Sequence, residues 1–313
     1  MFLRAMTISV LCCCLYANSL AAQAIRELKG HSGPVFALAF VADGRKLVSA
    51  GFDHRLNIWN VPHGKLLRTF ADQPQRLVSV VAAKRWFASG TTNGMIQIHK
   101  DETNVVRLSA HDGCVHALAA SHDGELLVSC GDDGQVKTWQ PAQGEMIAHV
   151  SATPRTPLYA VAVSPNGKMI AAGGLDGQIR IYDRDSLTLL STLRGHSGPI
   201  FALAFSPNSQ VVVSGSQNGD VILWDVEPGT ERLRLVGHVT PIYRVEFYDS
   251  GRRLLTAGKK GLVIIWDMEV AEPIFSRRFP GIVSAALSPD GRRLAVGTDK
   301  GACFLLDLPR YVR

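Results

Sequence analysis

The residues of this chain that could do chemistry are histidine, serine and aspartate, and they occur together more than once. His31, Ser49 and Asp53 are the three residue types of a hydrolytic triad. The same types return, at the same separations, in His111, Ser129 and Asp133. A nucleophilic site needs one such set that converges in one cleft. Because these sets recur along the chain, we expect a structural role, no catalytic residues and no enzymatic activity.

The residue types give little support to a metal or cofactor site. Histidines outside those sets are scattered: His54, His63, His99, His116, His122 and His149. No Cys-x-x-Cys pair occurs, so neither a zinc clip nor a haem attachment site is written in the sequence. The glycines lie in predicted hairpin turns and form no phosphate-binding loop. We therefore predict no metal and no cofactor.

A segment that recurs every 40–43 residues must position these side chains. It is clearest in Gly195-His196, Asn218-Gly219 and Trp224-Asp225, and it returns 42 residues later at Trp266-Asp267. Aligned on this spacing, the chain contains seven units, with corresponding residues Trp59, His99, Trp139, Tyr182, Trp224, Trp266 and Leu306. One unit this short cannot bury its own apolar faces, so the 313 residues are expected to form one domain of packed repeats.

Each unit is predicted to contain three short strands, with a fourth strand from the linker to the next unit. In the first unit these are Pro34–Phe40, Leu47–Ser49, the strand that ends at Trp59, and Lys65–Phe70. Turns such as Ser164-Pro165-Asn166-Gly167 separate the first two strands. The third strand is apolar on both faces, which is typical of a strand covered on both sides.

Both ends of the chain are predicted to share one sheet. The last unit ends at Asp307-Leu308-Pro309 and has no fourth strand of its own. Ile25–Leu28 reads as a strand that precedes the first unit. Pairing the two would close a ring and remove both exposed sheet edges, whereas an open solenoid would need capping repeats. We predict an all-β, seven-bladed β-propeller closed by this N-terminal strand.

These motifs resemble those of the WD-repeat (tryptophan–aspartate repeat) family, and the resemblance covers the chain from residue 23 to residue 313. In that family His, Ser or Thr, Asp and Trp of one blade form a buried hydrogen-bonded set. The resemblance implies such sets in blades one, three, five and six: His31, Ser49, Asp53, Trp59; His111, Ser129, Asp133, Trp139; His196, Ser214, Asn218, Trp224; and His238, Thr256, Trp266.

Several blades depart from the family pattern. In blade five Asn218 is expected to replace the carboxylate with an amide, and in blade six Lys260 stands where the acid belongs. Blades two, four and seven lack the set and are expected to rely on packing and closure alone. Their residues at the four positions include Ala71 and His99 in blade two, Pro154, Ala172, Asp176 and Tyr182 in blade four, and Arg278, Val296, Lys300 and Leu306 in blade seven.

The resemblance implies a non-catalytic scaffold that binds a partner protein or peptide on the rim where the Gly-His and Asp-Gly loops emerge. The common contact is the second residue of each innermost strand, which we assign to Phe36, Arg76, His116, Tyr159, Phe201, Tyr243 and Val283. Aromatic residues and Arg are frequent interface hot spots, although filling gaps between blades is an equal alternative for Phe36 and Phe201. A periplasmic propeller enzyme, or a cofactor- or metal-binding protein with its site at the central channel, is the alternative function.

Charge indicates the chemistry of the partner. The net charge is +6, and Lys259, Lys260, Arg278 and Lys300 fall on one sector of the rim. This sector favours an acidic peptide or an anionic protein surface, and a solvated face is the alternative. Other basic residues, Arg252-Arg253 and Arg292-Arg293, lie in the opposite loops, so nucleic acid is not expected. We expect a monomer within a hetero-complex.

The first 22 residues have the composition of a signal peptide. Arg4 supplies a basic start and Ala5–Tyr16 is apolar, followed by small residues that place cleavage after Ala21, Ala22 or Ala24. Thr7, Ser9, Asn18 and Ser19 interrupt a stretch that barely reaches the ~18–20 residues a membrane span needs, so a transmembrane anchor is not expected and the mature chain is expected to lack a span. No Asn-x-Ser/Thr sequon occurs, which favours bacterial export to the periplasm. A buried N-terminal strand is the alternative.

Cysteine usage does not indicate a disulfide framework. Three of the six cysteines, Cys12, Cys13 and Cys14, fall in the predicted signal peptide. The others are Cys114, Cys130 and Cys303. Cys114 and Cys130 are predicted on adjacent strands of one blade, where either a disulfide or two buried thiols would fit.

Overall fold

A computed structural model describes residues 25–71, 73–101 and 103–312. Over these residues the protein consists of β-strands, turns and two short 3-10 turns, Asp249–Gly251 and Arg310–Val312. The described chain contains no helix long and apolar enough to cross a membrane. The predicted signal peptide, with its cleavage positions and Cys12 to Cys14, lies outside the described residues.

The described residues form 28 strands. The first thirteen are β1 (Ile25–Leu28), β2 (Val35–Phe40), β3 (Lys46–Gly51), β4 (Leu56–Asn60), β5 (Lys65–Phe70), β6 (Leu77–Ala82), β7 (Phe87–Thr91), β8 (Met95–His99), β9 (Val105–Ser109), β10 (Ala117–Ala120), β11 (Leu127–Cys130), β12 (Gln135–Gln140) and β13 (Glu145–Ser151). The others are β14 (Leu158–Val163), β15 (Met169–Gly174), β16 (Ile179–Asp183), β17 (Leu189–Leu193), β18 (Ile200–Phe205), β19 (Val211–Ser216), β20 (Val221–Asp225), β21 (Thr230–Leu235), β22 (Ile242–Tyr248), β23 (Arg253–Gly258), β24 (Leu262–Asp267), β25 (Glu272–Arg278), β26 (Ile282–Leu287), β27 (Arg293–Thr298) and β28 (Cys303–Asp307).

The strands form seven four-stranded antiparallel sheets, which are the blades of a β-propeller. Six blades use four consecutive strands, as in β2-β3-β4-β5. The first strand of every blade lines a central channel, and the linker strand lies outermost. The predicted count of seven blades and the predicted strand order are therefore confirmed.

The seventh blade joins the two ends of the chain. Its order is β1-β28-β27-β26, so the N-terminal strand supplies the outermost strand of the last blade. The register pairs Ile25 with Leu306 and Leu28 with Cys303. Leu28 is only 1% exposed and packs in a cluster with Trp59 of blade one and Leu305 of blade seven. Closure by the N-terminal strand is confirmed.

The hydrophobic core lies between neighbouring blades. One cluster joins Ile179 and Ile181 of blade four to Ile222 and Trp224 of blade five. The third strands are buried on both faces, as the continuous apolar runs predicted, and Val221 to Trp224 are all buried. The tryptophans that end the third strands, Trp59, Trp139, Trp224 and Trp266, each pack in a cluster with the preceding blade, so neighbouring repeats stabilise one another.

The described cysteines are free thiols, so Cys114 and Cys130 do not form the disulfide that was one of the two alternatives. Cys130 ends β11, but Cys114 lies in the loop before β10 and not on a strand, contrary to the prediction. Burial raises the pKa of Cys114 and of Cys303 to about 12. Both groups are therefore protonated at neutral pH and are poor nucleophiles.

Candidate functional site

Blade one contains a continuous hydrogen-bonded set. The indole N–H of Trp59 donates to Ser49 Oγ at 2.8 Å, and Ser49 Oγ lies 2.7 Å from His31 Nε2. His31 Nδ1 lies 3.0 Å from both carboxylate oxygens of Asp53. An Nδ1–H donated to the carboxylate leaves Nε2 as the acceptor for the serine hydroxyl, so every polar atom of the set has a partner.

Blade three repeats this geometry. His111 lies 2.9 Å from Asp133 and 2.7 Å from Ser129 Oγ, and Trp139 donates to Ser129 at 2.9 Å. Burial lowers the pKa of His111 and outweighs the opposing effect of Asp133. Burial acts to raise the pKa of Asp133, but the hydrogen bond from His111 and its charge lower it below the usual range.

These sets have the connectivity of a catalytic triad without access for a substrate. Ser49 and Ser129 are 0% exposed, and each hydroxyl already accepts from an indole. A nucleophile must reach an external carbonyl carbon, which these hydroxyls cannot do. The geometry therefore supports packing of the blade rather than chemistry.

In blades five and six the set ends at the histidine. Ser214 and Thr256 bridge the tryptophan and the histidine, with distances of 2.6–2.9 Å. Within the described chain, Nδ1 of His196 and Nδ1 of His238 have no hydrogen-bond partner. Burial lowers the pKa of each imidazole to about 4. Both side chains are neutral at pH 7.

Asn218 does not replace the carboxylate in the way we expected from the sequence. Its amide Nδ2 donates to Ser197 Oγ at 2.9 Å and leaves Nδ1 of His196 without a partner. A carboxylate can accept from the imidazole and from the loop backbone together, as Asp53 does with His31 and Ser32. The amide of Asn218 instead makes one side-chain contact at the loop surface. Lys260 in blade six is exposed to solvent.

A second group of residues forms a ring around one mouth of the central channel. The ring consists of one residue from each innermost strand or the loop directly before it: Phe36, Val78, His116, Tyr159, Phe201, Tyr243 and Val283. All are half-buried, and they surround a cavity of about 150 Å³. We call this group the mouth ring.

A β-bulge aims these side chains at the mouth. In β2 the pairing passes from Val35 to Ala37, so Phe36 is the extra, unpaired residue. The same shift skips Tyr159 in β14, Phe201 in β18 and Tyr243 in β22. Bulges re-aim a side chain out of the regular alternation, and here the same device is repeated around the ring.

Arg76 is not the member that blade two contributes, which corrects the sequence assignment. The bulge in β6 lies between Leu77 and Ser79, so the member is Val78. Blade two has Ala71 where blades one, three, five and six have the histidine from which the strand positions are counted. The sequence signal for the correct residue is the buried apolar residue that precedes each bulge, which is Leu77 in blade two. Arg76 lies beside the ring, with its guanidinium 5.1 Å from the centre of the Phe52 ring.

Four members of the mouth ring form a continuous aromatic arc. His116 meets Tyr159 edge to face at 4.8 Å between ring centres. Tyr159 lies 5.3 Å from Phe201, and Phe201 lies 6.0 Å from Tyr243. Across the mouth, Phe36 stacks on Phe52 at 4.1 Å. Contacts of this kind hold aromatic rings in fixed orientations while one edge of each ring still faces the cavity.

Charged groups flank the arc on two sides. On one side, His116 Nε2 lies 2.7 Å from Asp132, whose other oxygen accepts from the backbone of Cys114. On the other side, beyond Tyr243, the basic sector is exposed and makes no ion pair within the described residues: Lys259, Lys260, Arg278 and Lys300. At the opposite end, two of the arginines form ion pairs, Arg253 with Asp267 and Arg293 with Asp307.

The scattered histidines are not brought together. Among residues 25–71, 73–101 and 103–312, no three His, Cys, Asp or Glu side chains converge in a way that could hold a metal ion. His99 is buried in blade two, and His54 Nδ1 donates to the carbonyl oxygen of Gln73 at 2.8 Å. The central channel is lined mainly by small and apolar side chains.

Comparison with known proteins gives matches along most of the described chain. The family described as WD domain, G-beta repeat, matches residues 22–60 and 102–140, which end just after Trp59 and Trp139 of the two complete sets. The family described as Vps8 beta-propeller matches residues 158–278. A curated relative, Protein groucho of Drosophila melanogaster, is 27% identical over 126 residues, or 39% of this chain. The match spans only 17% of that relative's length.

Proposed function

This chain belongs to the WD-repeat β-propeller family, and we propose that it is a non-catalytic scaffold that binds a partner protein or peptide at the mouth ring. Propellers of this family are generally protein-interaction scaffolds. The observation that carries the proposal is the aromatic arc from His116 to Tyr243 around the channel mouth. The serines of the triad-like sets are fully buried, which supports a function without catalysis.

The arc has the properties of an interface hot spot. Its rings are half-buried and already packed against one another, so little side-chain entropy remains to be lost when a partner binds. Tyr159 and Tyr243 combine apolar area with a hydroxyl that can bond to a peptide backbone. A cavity of about 150 Å³ at the centre can accept one apolar side chain of the partner.

Charge supports a partner that is acidic at one end. The exposed basic sector lies beside Tyr243 and carries four cations without ion pairs in the described chain. Such a sector accelerates the encounter with an anionic surface and orients it. We propose a single propeller that binds an acidic protein or peptide, in a hetero-complex, and that does not bind nucleic acid.

The test is affinity capture of partners from the native envelope fraction, with rim variants as comparisons. Tyr159→Ala and Phe201→Ala should lose the partner, with affinity reduced about 30-fold for a loss of ~2 kcal/mol at a hot spot. Tyr311→Ala is the matched control, because this tyrosine is 62% exposed and lies after β28, away from the ring. Equal capture by all three variants contradicts the mouth ring as the binding site.

A second comparison tests the charge. Lys259→Glu with Lys300→Glu should slow association and weaken its dependence on salt, while Arg252→Glu in the opposite loops should leave both unchanged. If binding by the Lys259→Glu, Lys300→Glu variant equals that of wild type, the prediction of an acidic partner is wrong. This result would not contradict the aromatic binding site.

We also propose that the chain is exported, on the basis of the composition of residues 1–22 alone. The intact mass of the protein recovered from a producing bacterium tests this proposal. Cleavage after Ala21, Ala22 or Ala24 shortens the chain by a defined mass, and a full-length mass contradicts export by this route.

A further inference from the structure

A cleft between blades one and two lies at the end of the propeller opposite the mouth ring. It has a volume of about 170 Å³, and its walls are mainly Ile58 and Phe70 of blade one and Trp86, Phe87 and His99 of blade two. We call it the blade-two cleft. It exists because His99 stands where four other blades have tryptophan, and an imidazole fills less space than an indole.

The cleft contains a buried polar side chain with no partner. His99 is 1% exposed, and neither of its ring nitrogens has a hydrogen-bond partner among the described residues. Ser89, the serine of the same blade, is 0% exposed and equally without a partner. Elsewhere an indole N–H satisfies the corresponding serine at 2.7–2.9 Å. Buried polar groups in folded proteins are almost always satisfied, so a partner for His99 is missing.

The imidazole is held firmly by its neighbours. Its ring stacks on Phe87 at 4.6 Å with an interplanar angle of 10°, and Phe70 lies 4.7 Å away at 59°. Burial, together with the charges of Arg107 and Arg68, lowers its pKa to about 4. At neutral pH the ring is therefore uncharged and offers one N–H donor and one nitrogen acceptor.

The opening of the cleft is positively charged. Lys46, Lys84 and Arg85 line it, are exposed, and make no ion pair within the described chain. Among the described residues that line the cleft, Asp101 is the one acidic residue, and its carboxylate already accepts from the backbone of Thr103 and Asn104. An anionic group at the opening would meet three cations, and an apolar ring would meet the aromatic walls.

We propose that the blade-two cleft binds a small hydroxylated aromatic carboxylate. A cavity of about 150 Å³ lined by apolar side chains is large enough to hold one benzene ring, so this cleft holds one six-membered ring. The ring packs against Phe70 and Phe87. The nitrogens of His99 are buried in the free protein, so binding must move aside the side chains that cover them. The hydroxyl of the ligand then donates to or accepts from one of these nitrogens, and its carboxylate lies near Lys84 and Arg85.

The whole protein is titrated with 4-hydroxybenzoate, and binding is measured by calorimetry and by NMR. The expected dissociation constant is on the order of 0.1–1 mM, as suits a ligand of this size. Benzoate, which lacks the hydroxyl, and 4-hydroxybenzyl alcohol, which lacks the charge, should each bind about 5–10-fold more weakly. No saturable binding at about 10 mM overturns the proposal.

Two variants connect binding to His99. His99→Trp rebuilds the residue that other blades use, so it should fill the cleft, abolish binding and raise the melting temperature by giving Ser89 a donor. His99→Phe keeps an aromatic ring and removes the nitrogens, so 4-hydroxybenzoate and benzoate should then bind equally. Undiminished binding to His99→Trp, or a retained preference for the hydroxyl in His99→Phe, overturns the assignment.

The charge at the opening is tested separately. Lys84→Ala with Arg85→Ala should bind 4-hydroxybenzoate no better than the alcohol, and Arg292→Ala, in the corresponding loop of blade seven, should bind like wild type. A crystal structure grown with the probe completes the test. An ordered water that satisfies His99 and is not displaced by the probe overturns the proposal, because water is then the missing partner.

Discussion

Truncation of one buried leucine in the first strand measures how much ring closure stabilises the protein. Leu28 is 1% exposed, pairs with Cys303 across the β1–β28 ladder, and packs between blades one and seven. Leu28→Ala removes this contact and leaves a cavity, which costs about 2–5 kcal/mol. With an unfolding entropy of about 2 cal/mol/K per residue over about 290 residues, a loss of ~3 kcal/mol lowers the melting temperature by about 5 °C.

The same strand supplies the control. Ile25 is 40% exposed and pairs with Leu306 in the same ladder, so Ile25→Ala should cost less than Leu28→Ala, about 1 kcal/mol or below. Melting is followed by circular dichroism and calorimetry, and hydrogen exchange reports where the structure opens. In Leu28→Ala, exchange should accelerate in β28 before it does in β16 across the ring. If the two variants melt at the same temperature, or exchange rises evenly around the ring, closure by the terminal strand does not stabilise the propeller.

Three further predictions concern the buried histidines. Asp133→Ala should destabilise the protein by ~1–3 kcal/mol in urea unfolding, because it leaves His111 Nδ1 buried without a partner, and an unchanged midpoint contradicts this role. Lys260→Asp should stabilise by ~1 kcal/mol by giving His238 Nδ1 the carboxylate that Asp53 gives His31, whereas the neighbouring Lys259→Asp should not. Finally, the folded pKa values of His99, His196 and His238, about 4, lie below their ordinary 6.5, so the unfolded chain binds more protons between these values. Stability should be full above pH ~6.5 and fall as the pH drops toward ~4, by up to about 3 kcal/mol for each group, and a flat urea midpoint over that range refutes the pKa assignment.

Much of the architecture followed from the sequence because it depends on periodicity. The spacing of Trp59, Trp139, Trp224 and Trp266 counts the blades even where the signature residue is lost, as in blade seven with Leu306. The unpaired strand Ile25–Leu28 and the missing fourth strand of the last blade required each other, because an open sheet edge is unfavourable. These features are properties of order along the chain.

The candidate site depended on side-chain orientation and strand register, which the order of residues along the chain does not determine. The sequence gives residue types for the hydrogen-bonded sets, but only the packed structure has Asn218 turned to Ser197 and Nδ1 of His196 left alone. The packed structure also shows that a bulge directs Val78, and not Arg76, to the channel mouth. A bulge shifts the alternation by one residue, so a small error in register exchanges an arginine for a valine.

What the sequence by itself determined, then, is a closed ring of seven like modules. One repeat of this length cannot bury its apolar faces alone, and the two ends of the chain supply the strands that complete one shared blade. Only the tertiary structure decided the positions of side chains that have no counterpart in the other repeats. The aromatic arc and the cleft beside His99 both arise between blades, from residues about 40 positions apart that meet only when the ring is assembled. Contacts of this kind depend on size and register across an interface, and neither is visible in a single repeat.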